Sequence, residues 1–454
     1  MEALAEVKNN NVQDKRMKLL GESVDAYPSI GLAFVTRHML VDGKEMDRVG
    51  VKPGDTVSVL AVTKEGNIML QLKDEPAVGK RLLMLPESRI DDGATANSAR
   101  LHGRMELMVH GCKADTLKNA EEIGAVFASP GYTTERVHTV MALGVEREKG
   151  VEGTVEMTPE EAISKILSGE IRDSNTIQAV LRYAVFVAGL DKLNLPAGML
   201  EMIGKQPNIK EEPITIKAES EETLKSFGSF LSVSKQVVTI DGNHKEIGVA
   251  KLGGATVTVP IDSAGRIVFV VQERPIVGKT TVELPAGKRD KLPDGSIESA
   301  EHAGLRELEE ETGEKGGEAL LITSAYSSAR YSNEVLDTVM ARARAGGKLH
   351  ADEGEVISGK MSLFLPDALD RIKKGEIEDG KTVQGVLLYA LMDELERRAG
   401  KPDTTLYTWP TREELGQIQN AQDQGYGPTF NELPGEGSSF TETPGEFPND
   451  SGFG

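Results

Sequence analysis

The sequence contains a single cysteine and no long apolar run, and both absences restrict the class of protein. Cys112 is the only cysteine among 454 residues, which excludes an internal disulfide and a zinc site built from several cysteines. The longest apolar stretches, such as residues 183–190, fall short of the roughly 18 residues that a membrane-spanning helix needs, so we expect no membrane partner. The N-terminal residues show no basic segment followed by an apolar one, and we expect a cytoplasmic location.

Positive charge is scarce relative to negative charge. The chain carries 52 Lys and Arg against 72 Asp and Glu, which gives a formal net charge of −20. A surface of this sign repels polyanions, so we expect no nucleic-acid partner. A small phosphorylated ligand is compatible with this charge where a cation mediates its binding.

The two halves of the chain repeat each other. Residues 31–62 align with residues 230–261 at an offset of 199, and residues 168–184 align with residues 374–390 at an offset of 206. Each half combines alternating, strand-like runs with amphipathic segments, which is typical of a mixed sheet covered by helices. The repeat therefore predicts two related α/β units in tandem.

The duplication divides the chain into two domains and a tail. We predict α/β/α sandwich domains with mixed β-sheets at 1–210 and 211–400, joined by an exposed linker at 205–218. An extended tail is predicted at 401–454, because residues 413–454 hold eight carboxylates, eight glycines and four prolines but no Lys or Arg. Its phenylalanines leave two interpretations open: the tail docks on a neighbouring subunit, or it only increases solubility.

Glutamates are concentrated on one face of a helix predicted near residues 298–312. In LRELEEETG (305–313), Glu307, Glu310 and Glu311 lie three and four residues apart and point the same way, and like charges at i,i+4 cost about 0.2–0.5 kcal/mol per pair. Hard cations such as Mg²⁺ prefer carboxylate oxygens and keep water molecules that a phosphate can replace. A divalent-metal site would offset the repulsion, and a solvated acidic face is the alternative.

The sequence around this helix resembles the Nudix box, G-x5-E-x7-R-E-U-x-E-E-x-G-U, in which U is apolar. In ELPAGKRDKLPDGSIESAEHAGLRELEEETGE (283–314), the matching residues are Gly287, Glu298, Arg306, Glu307, Leu308, Glu310, Glu311 and Gly313. The lead-in ELPAG and the strand VVQERP are similar to the ADP-ribose and nucleoside-diphosphate-sugar pyrophosphatase branch of the Nudix superfamily. Two departures are present: ten residues instead of five follow Gly287, and Glu314 replaces an apolar residue.

The resemblance implies a role for each matching residue. It implies that Arg306 orients the carboxylates and that Glu298 braces the box through hydrogen bonds. It also implies a bound Mg²⁺ or Mn²⁺, whose ligands would be Glu307, Glu310, Glu311 and the backbone carbonyl of Ala286.

Residues outside the box would complete the site. The resemblance implies a general base in the acidic loop at 350–356, where Glu353 is favoured over Glu355. Arg274 would steady the diphosphate, with a surface ion pair as the alternative, and Glu334 would be a further metal or substrate contact. The first half keeps SPGYTTE (129–135), which is similar to a segment that shapes the substrate pocket in this branch. Its residues Ser129, Pro130 and Gly131 are therefore expected to contact substrate.

The first half lacks the acidic residues of the motif. When Arg104 and Gly111 are placed on the Arg and Gly of the box, Met105, Met108 and Val109 occupy the ligand positions. Apolar side chains do not hold Mg²⁺. We therefore predict a catalytically degenerate first domain. Because members of this branch commonly form dimers, we expect the two domains to pair within the chain, or the chain to form a homo-oligomer; two independent domains are the alternative.

These features predict a Mg²⁺-dependent pyrophosphatase that hydrolyses ADP-ribose or a related nucleoside diphosphate by water attack on phosphorus. Two other functions stay open. The tail and the altered segment SARYSNE (328–334), which replaces SPGYTTE in the second half, favour a structural or binding protein of a larger assembly, such as a virion protein. The preserved SPGYTTE favours a regulator that senses a nucleotide through the first half.

Overall fold

The structure is a computed structural model that describes residues 17–41, 43–148, 153–203, 217–228, 230–240, 242–350 and 356–400. The linker and the tail predicted from the sequence lie largely or wholly outside these residues. The described residues form two consecutive units, with secondary structure between residues 17 and 202 and between residues 217 and 399.

In the first unit the described residues form ten strands and three α-helices. The strands are β1 (Met17–Tyr27), β2 (Leu32–Val41), β3 (Lys44–Lys52), β4 (Asp55–Thr63), β5 (Ile68–Glu75), β6 (Lys80–Met84), β7 (Glu87–Ile90), β8 (Glu121–Phe127), β9 (Arg136–Val145) and β10 (Thr154–Met157). The helices are α1 (Ala96–Val109), α2 (Pro159–Leu167) and α3 (Ser174–Tyr183).

The described residues of the second unit repeat this order. The strands are β11 (Lys217–Phe227), β12 (Leu231–Ile240), β13 (Asn243–Lys251), β14 (Ala255–Ile261), β15 (Ile267–Arg274), β16 (Lys279–Glu283), β17 (Ala286–Lys288), β18 (Glu314–Tyr326), β19 (Val335–Ala345) and β20 (Ile357–Leu363). The helices are α4 (Ala300–Thr312), α5 (Leu365–Lys373) and α6 (Gly380–Ala399).

The two units have the same sheet topology, which confirms the predicted tandem α/β fold. Each has a three-stranded antiparallel sheet and a mixed seven-stranded sheet, whose central order is β10-β5-β4-β9-β8 in the first unit. The parallel pair β4–β9 aligns Thr56 with Val137, and the parallel pair β14–β19 aligns Ala255 with Leu336. Each residue of the second pair lies 199 positions after its counterpart in the first pair. The offset found in the sequence repeat therefore also relates the strand pairing of the two sheets.

Helices cover both faces of the mixed sheets. Strand β4 is buried along its whole length: Val57 and Val59 pack in a cluster with Leu107 of α1, while Leu60 packs on the opposite face in a cluster with Leu181 of α3. A strand covered on both faces loses the usual apolar–polar alternation, and residues 59–62 of β4 accordingly form a continuous apolar run. None of the helices in the described ranges is both long and apolar enough to cross a membrane.

The two units are joined by backbone hydrogen bonds at equivalent places. The Phe127 N–H donates to the Glu378 carbonyl, and the Tyr326 N–H donates to the Arg172 carbonyl, both at 2.7 Å. Helices α3 and α6 pack together, and one apolar cluster runs through both units. The second unit therefore shares its core with the first.

Gly304 allows helix α4 to lie close to the sheet. A Cβ at this position would be 2.5 Å from Val339 Cγ2 and 2.7 Å from Thr258 Oγ1, closer than packed atoms approach. Thr258 Oγ1 also donates to the Gly304 carbonyl at 2.9 Å. The absence of a side chain at Gly304 thus allows helix α4 to approach the sheet closely.

We expect Gly304→Ala to lower the free energy of unfolding by about 1–3 kcal/mol, because the added methyl group pushes α4 from the sheet. Denaturant unfolding of the full chain measures this change. Gly253→Ala is the matched control, since a Cβ there meets nothing within 4 Å. Equal stability of the two variants would contradict the close contact described for α4.

Candidate functional site

Helix α4 turns its glutamates towards the sheet. The helix begins after Ser299, whose side chain accepts a hydrogen bond from the His302 N–H at 3.1 Å, and it ends at Gly313, which adopts a left-handed conformation (φ 68°). Glu307 and Glu311 are buried, whereas Glu310 is partly exposed. The acidic face is therefore not a solvated one.

Strand β17 receives the two buried carboxylates. A Cβ at Gly287 would overlap the carboxylate of Glu307, so only glycine leaves room for this side chain against the strand. The Ala286 N–H donates to Glu311 Oε2 at 3.0 Å. Carboxylate oxygens from α4 and the backbone of β17 are thereby brought together at one end of the sheet.

Arg306 lies between the glutamates. Its Nη1 donates to Glu307 Oε1 at 2.7 Å and to Glu310 Oε2 at 2.8 Å, while Nη2 donates to Glu298 Oε2 at 3.0 Å. Burial lowers the pKa of Arg306, but its hydrogen bonds to Glu298 and the charge of Glu307 outweigh this effect, and the pKa is raised overall. The guanidinium stays charged and fixes the relative orientation of the three carboxylates.

The extra residues of the box form a small hairpin. The Leu292 N–H donates to the Ser296 carbonyl at 2.8 Å, Lys291 pairs with Ile297, and Gly295 makes the turn at φ 87°. The longer loop after Gly287 thus closes on itself and leaves the motif intact on either side.

Arg274 forms an ion pair, as the alternative expected, but the pair belongs to a largely buried ionic network and does not lie on the surface. Its Nε and Nη2 donate to the two carboxylate oxygens of Glu283 at 2.8 and 2.7 Å. Lys381 donates to Glu283 at 3.1 Å and to Asp379 at 2.7 Å. Burial lowers the pKa of Arg274, yet the charge of Glu283 outweighs it and raises the pKa overall. The sequence reasoning missed Lys381 and Asp379, although both lie in the repeated segment 374–390, at the start of the last helix.

The first unit contributes the neighbouring loop. A Cβ at Gly131 would be 3.4 Å from Arg274 Nη1, so the Ser129–Pro130–Gly131 segment borders the second unit's site. The Tyr132 hydroxyl is 3.1 Å from the Ser327 hydroxyl across the boundary. Glu334 is buried beside it, and burial raises the pKa of this carboxyl despite hydrogen bonds from Ser327 and Tyr132.

Glu353, the predicted general base, and Glu355 lie outside the described residues. Their roles therefore stay predictions from the sequence.

The packing of α1 corrects the alignment of the first half. Ala99, Gly103 and Leu107 are buried against the sheet as Ala300, Gly304 and Leu308 are in α4, an offset of 201 instead of the 202 that places Arg104 and Gly111 on the motif. The ligand positions in the first unit are then Glu106, Val109 and His110. Met105 and Met108 are exposed.

One carboxylate therefore survives in α1, without the other two. Glu106 Oε1 is 3.2 Å from His110 Nε2, and Val109 is exposed beside them. The reason for the error is that helix α1 starts after Thr95, one turn earlier than the equivalent start in α4, and sequence spacing does not reveal which residue faces the sheet.

Oxygen donors suited to a hard cation are concentrated in the second unit. The described residues contain no three His, Cys, Asp or Glu side chains already arranged around a metal position. Arg306 holds Glu307 and Glu310 with one nitrogen, so a cation bound there would take the place of this contact. The all-oxygen donor set of Glu307, Glu310 and Glu311 fits such an ion.

Curated relatives support the resemblance. The chain is 31% identical over 158 residues to an ADP-ribose pyrophosphatase of Bacillus subtilis, covering 34% of this chain and 82% of that protein. It is 31% identical to a methanol dehydrogenase activator of Bacillus methanolicus, covering 35% and 83%. It is 32% identical to an uncharacterized Nudix hydrolase of Schizosaccharomyces pombe, covering 26% and 59%. No family profile matches the chain.

The fold, the motif and these similarities together define a hydrolase with two tandem Nudix-like units. The chain belongs to the Nudix hydrolase superfamily and is related to the ADP-ribose pyrophosphatases.

The equivalent place in the first unit holds a different cluster. Glu87 stands where β17 has Ala286, and Asn175 Nδ2 donates to its carboxylate at 3.0 Å. Burial, together with the charge of Asp173, raises the pKa of Glu87 to about 8, and burial raises the pKa of Asp173 to about 6. These carboxyls hold their protons more tightly in the folded chain than in the unfolded one.

The raised pKa of Glu87 predicts that the contribution of this cluster to the free energy of unfolding falls as the pH increases. Because the folded-state pKa of Glu87 lies above its ordinary value, its contribution is complete at low pH and is lost as the pH rises through about 8. The melting temperature of Glu87→Gln should therefore rise relative to wild type between pH 5 and pH 9, which a thermal-unfolding series measures. Glu65→Gln, in an exposed turn, is the matched loss of one carboxyl. A Glu87→Gln difference that is the same at every pH would contradict the prediction.

Proposed function

We propose that the second unit hydrolyses the diphosphate bond of ADP-ribose or a related nucleoside diphosphate with the help of Mg²⁺ or Mn²⁺. The observation that carries the proposal is the placement of Glu307 and Glu311 on the backbone of β17 at Gly287 and Ala286. The single positive charge of Arg306 is shared among Glu298, Glu307 and Glu310, so the buried carboxylates of this helix face favour a further cation. The name of the B. subtilis relative supports this choice of substrate.

The cation would be held by Glu307, Glu310 and Glu311. A divalent ion in such a site neutralises phosphate charge and lowers the pKa of a coordinated water, which supplies the nucleophile. Arg306 keeps the carboxylates oriented, and Glu298, buried and bonded to Arg306, keeps the guanidinium in place. The identity of the base that accepts the water's proton, with Glu353 as the candidate, belongs to this proposal.

Arg274 would contact the diphosphate at the boundary between the units. Its bonds to Glu283 use Nε and Nη2, and Nη1 is the nitrogen next to Gly131. A guanidinium fixed in this way can donate to a phosphate oxygen without first being ordered. Substrate would then lie between the β17 end of the second unit and the 129–131 segment of the first, with Glu334 nearby.

The alternative role in a larger assembly was based on the tail at 413–454, on the altered segment 328–334 and on the degenerate first half. The tail lies outside the described part of the chain, so this role stays a prediction from the sequence.

Replacement of a metal ligand should abolish hydrolysis. We expect Glu310→Gln and Glu311→Gln each to lower kcat for ADP-ribose by about 100-fold or more, since loss of a direct ligand exceeds the effect of losing an outer hydrogen bond. Release of AMP and ribose 5-phosphate in the presence of Mg²⁺ is the measurement. Glu106→Gln, at the equivalent of Glu307 in the first unit, should leave kcat unchanged. An inactive wild type across a panel of nucleoside diphosphates would refute the proposal.

The glycine of β17 offers a separate test through binding. Gly287→Ala should displace the Glu307 carboxylate and weaken Mn²⁺ binding by about tenfold or more, a loss comparable to that of a supporting group around a metal site. Titration calorimetry of the full chain with Mn²⁺ reports this affinity without any substrate. Gly317→Ala, where a Cβ meets nothing within 4 Å, is the control. If both variants bind Mn²⁺ as the wild type does, Glu307 does not hold the ion.

A further inference from the structure

A cavity, here called the inter-unit cavity, lies between the two units, away from the glutamate site of the second unit. It has a volume of about 270 Å³ and is lined by residues 29–32 and Arg89 of the first unit and by residues 245–248 and Arg330 of the second. This volume is close to the lower end of the range for ligand pockets, about 300 Å³. The inter-unit cavity is therefore large enough for a small molecule and is bounded by both units.

Arg89 is held rigidly at the wall of this cavity. Its guanidinium lies between two glycines: a Cβ at Gly31 would be 2.7 Å from Nη1, and a Cβ at Gly54 would be 2.6 Å from Nε. Both glycines have positive φ angles, 65° and 83°, which other residues rarely adopt. Nη1 also donates to the Gly31 carbonyl at 2.7 Å. The backbone thus positions an exposed guanidinium before any ligand arrives.

Arg330 reaches the same place from the other unit. Its Nη2 donates to Thr56 Oγ1 at 2.7 Å and to Glu135 Oε1 at 3.0 Å, so the side chain crosses the boundary into the first unit. Arg89 and Arg330 both line the cavity. Burial and the positive charge of Arg330 lower the pKa of Arg89, while the charges of Asp92, Glu135 and Asp91 act in the opposite direction. Two like charges on one cavity favour an anion between them.

Among the residues that line the cavity, Arg89, Lys245 and Arg330 are cationic and Glu246 is the one carboxylate; Asp92, close to Arg89, is paired with Lys52 at 3.1 Å. Glu246, the carboxylate in the lining, is 3.3 Å from Lys235, and Lys245 is exposed next to it. Glu135, which pairs with Arg330, also accepts hydrogen bonds from Ser328 at 2.9 Å and from the Tyr331 hydroxyl at 2.8 Å. The lining of the inter-unit cavity is therefore positive although the chain carries a net charge of −20.

The substitution of Ala329-Arg330 for Pro-Gly in the second half acquires a physical meaning here. At the offset of 199, Arg330 corresponds to Gly131 of the first unit, and Arg89 corresponds to Lys288 of the second. Gly131 borders the glutamate site of the second unit, whereas Arg330 borders the cavity of the first. The altered segment 328–334 of the second unit therefore contributes to the cavity next to the first unit and not to the glutamate site of its own unit.

We propose that the inter-unit cavity binds a phosphate-bearing small anion, with a diphosphate group as its preferred ligand, and does not hydrolyse it. Guanidinium groups form paired, charge-assisted hydrogen bonds with phosphate oxygens. The adjoining helix α1 has one of the three carboxylates that the glutamate site has, so the cavity has no means of holding a cation like that proposed for the second unit. The proposal does not depend on the activity of the second unit.

The test is calorimetric titration of inorganic diphosphate into the full chain carrying Glu310→Gln and Glu311→Gln, with EDTA present. These changes remove the metal-dependent site of the second unit as a source of binding. We expect one saturable site per chain, and Arg89→Gln should weaken it by about tenfold or more, the usual effect of losing a hydrogen bond to a charged group. Arg100→Gln, an exposed arginine on α1 paired with Glu121 at 3.6 Å, is the matched control and should leave the affinity unchanged.

Comparison of two variants separates the effect on binding from the effect on folding. Arg330→Gln removes the cation next to buried Glu135 and should lower both affinity and stability, whereas Arg89→Gln, which loses a bond to a carbonyl, should keep its melting temperature. Titration of ADP alongside diphosphate shows whether a nucleoside adds affinity or the phosphates alone are recognised. No saturable binding to the parent chain, or equal affinities of Arg89→Gln and Arg100→Gln, would overturn the proposal.

Discussion

The contact between the Glu307 carboxylate and the backbone at Gly287 determines the arrangement of the second unit's site. It requires a residue without a side chain on β17 and a helix close to the sheet, which Gly304 permits. Arg306 then links Glu307 to Glu310 and to Glu298. The residues of the motif therefore depend on one another: glycine leaves room for the Glu307 carboxylate, and Arg306 offsets the negative charge of the glutamates.

The two units keep the same frame and differ in what the frame holds. In both, a Thr hydroxyl at the start of the last helix accepts a hydrogen bond from the N–H of a Leu-Pro leucine: Thr176 from Leu85 at 2.9 Å and Thr382 from Leu284 at 2.8 Å. In both, an aspartate caps that helix. The groups around the two pockets differ, with carboxylates on α4 and arginines around the cavity of the first unit. Frame residues and ligand-facing residues have therefore diverged independently.

The sequence revealed most of the frame but less of the site. The repeat predicted the tandem units, and its offset reproduced the parallel register, because strands paired in one sheet tolerate no slip of one residue. The motif located α4 and its glutamates. The facing residues of α1 were misplaced by one position, because a change in loop length before the helix leaves no mark in the spacing. The ion pair of Glu283 with Lys381 joins residues 98 positions apart, and charge patterns along the chain do not show such proximity.

The backbone bonds from Phe127 to Glu378 and from Tyr326 to Arg172 make the boundary between the units closely two-fold. In a dimer of identical chains, any substitution at such a boundary appears twice, once at each symmetric position. Fusion of the two copies into one polypeptide lifts that restriction. A glycine on one side and an arginine on the other can then be selected separately, so covalent linkage gives a single molecule two unlike pockets where symmetry would have enforced two alike.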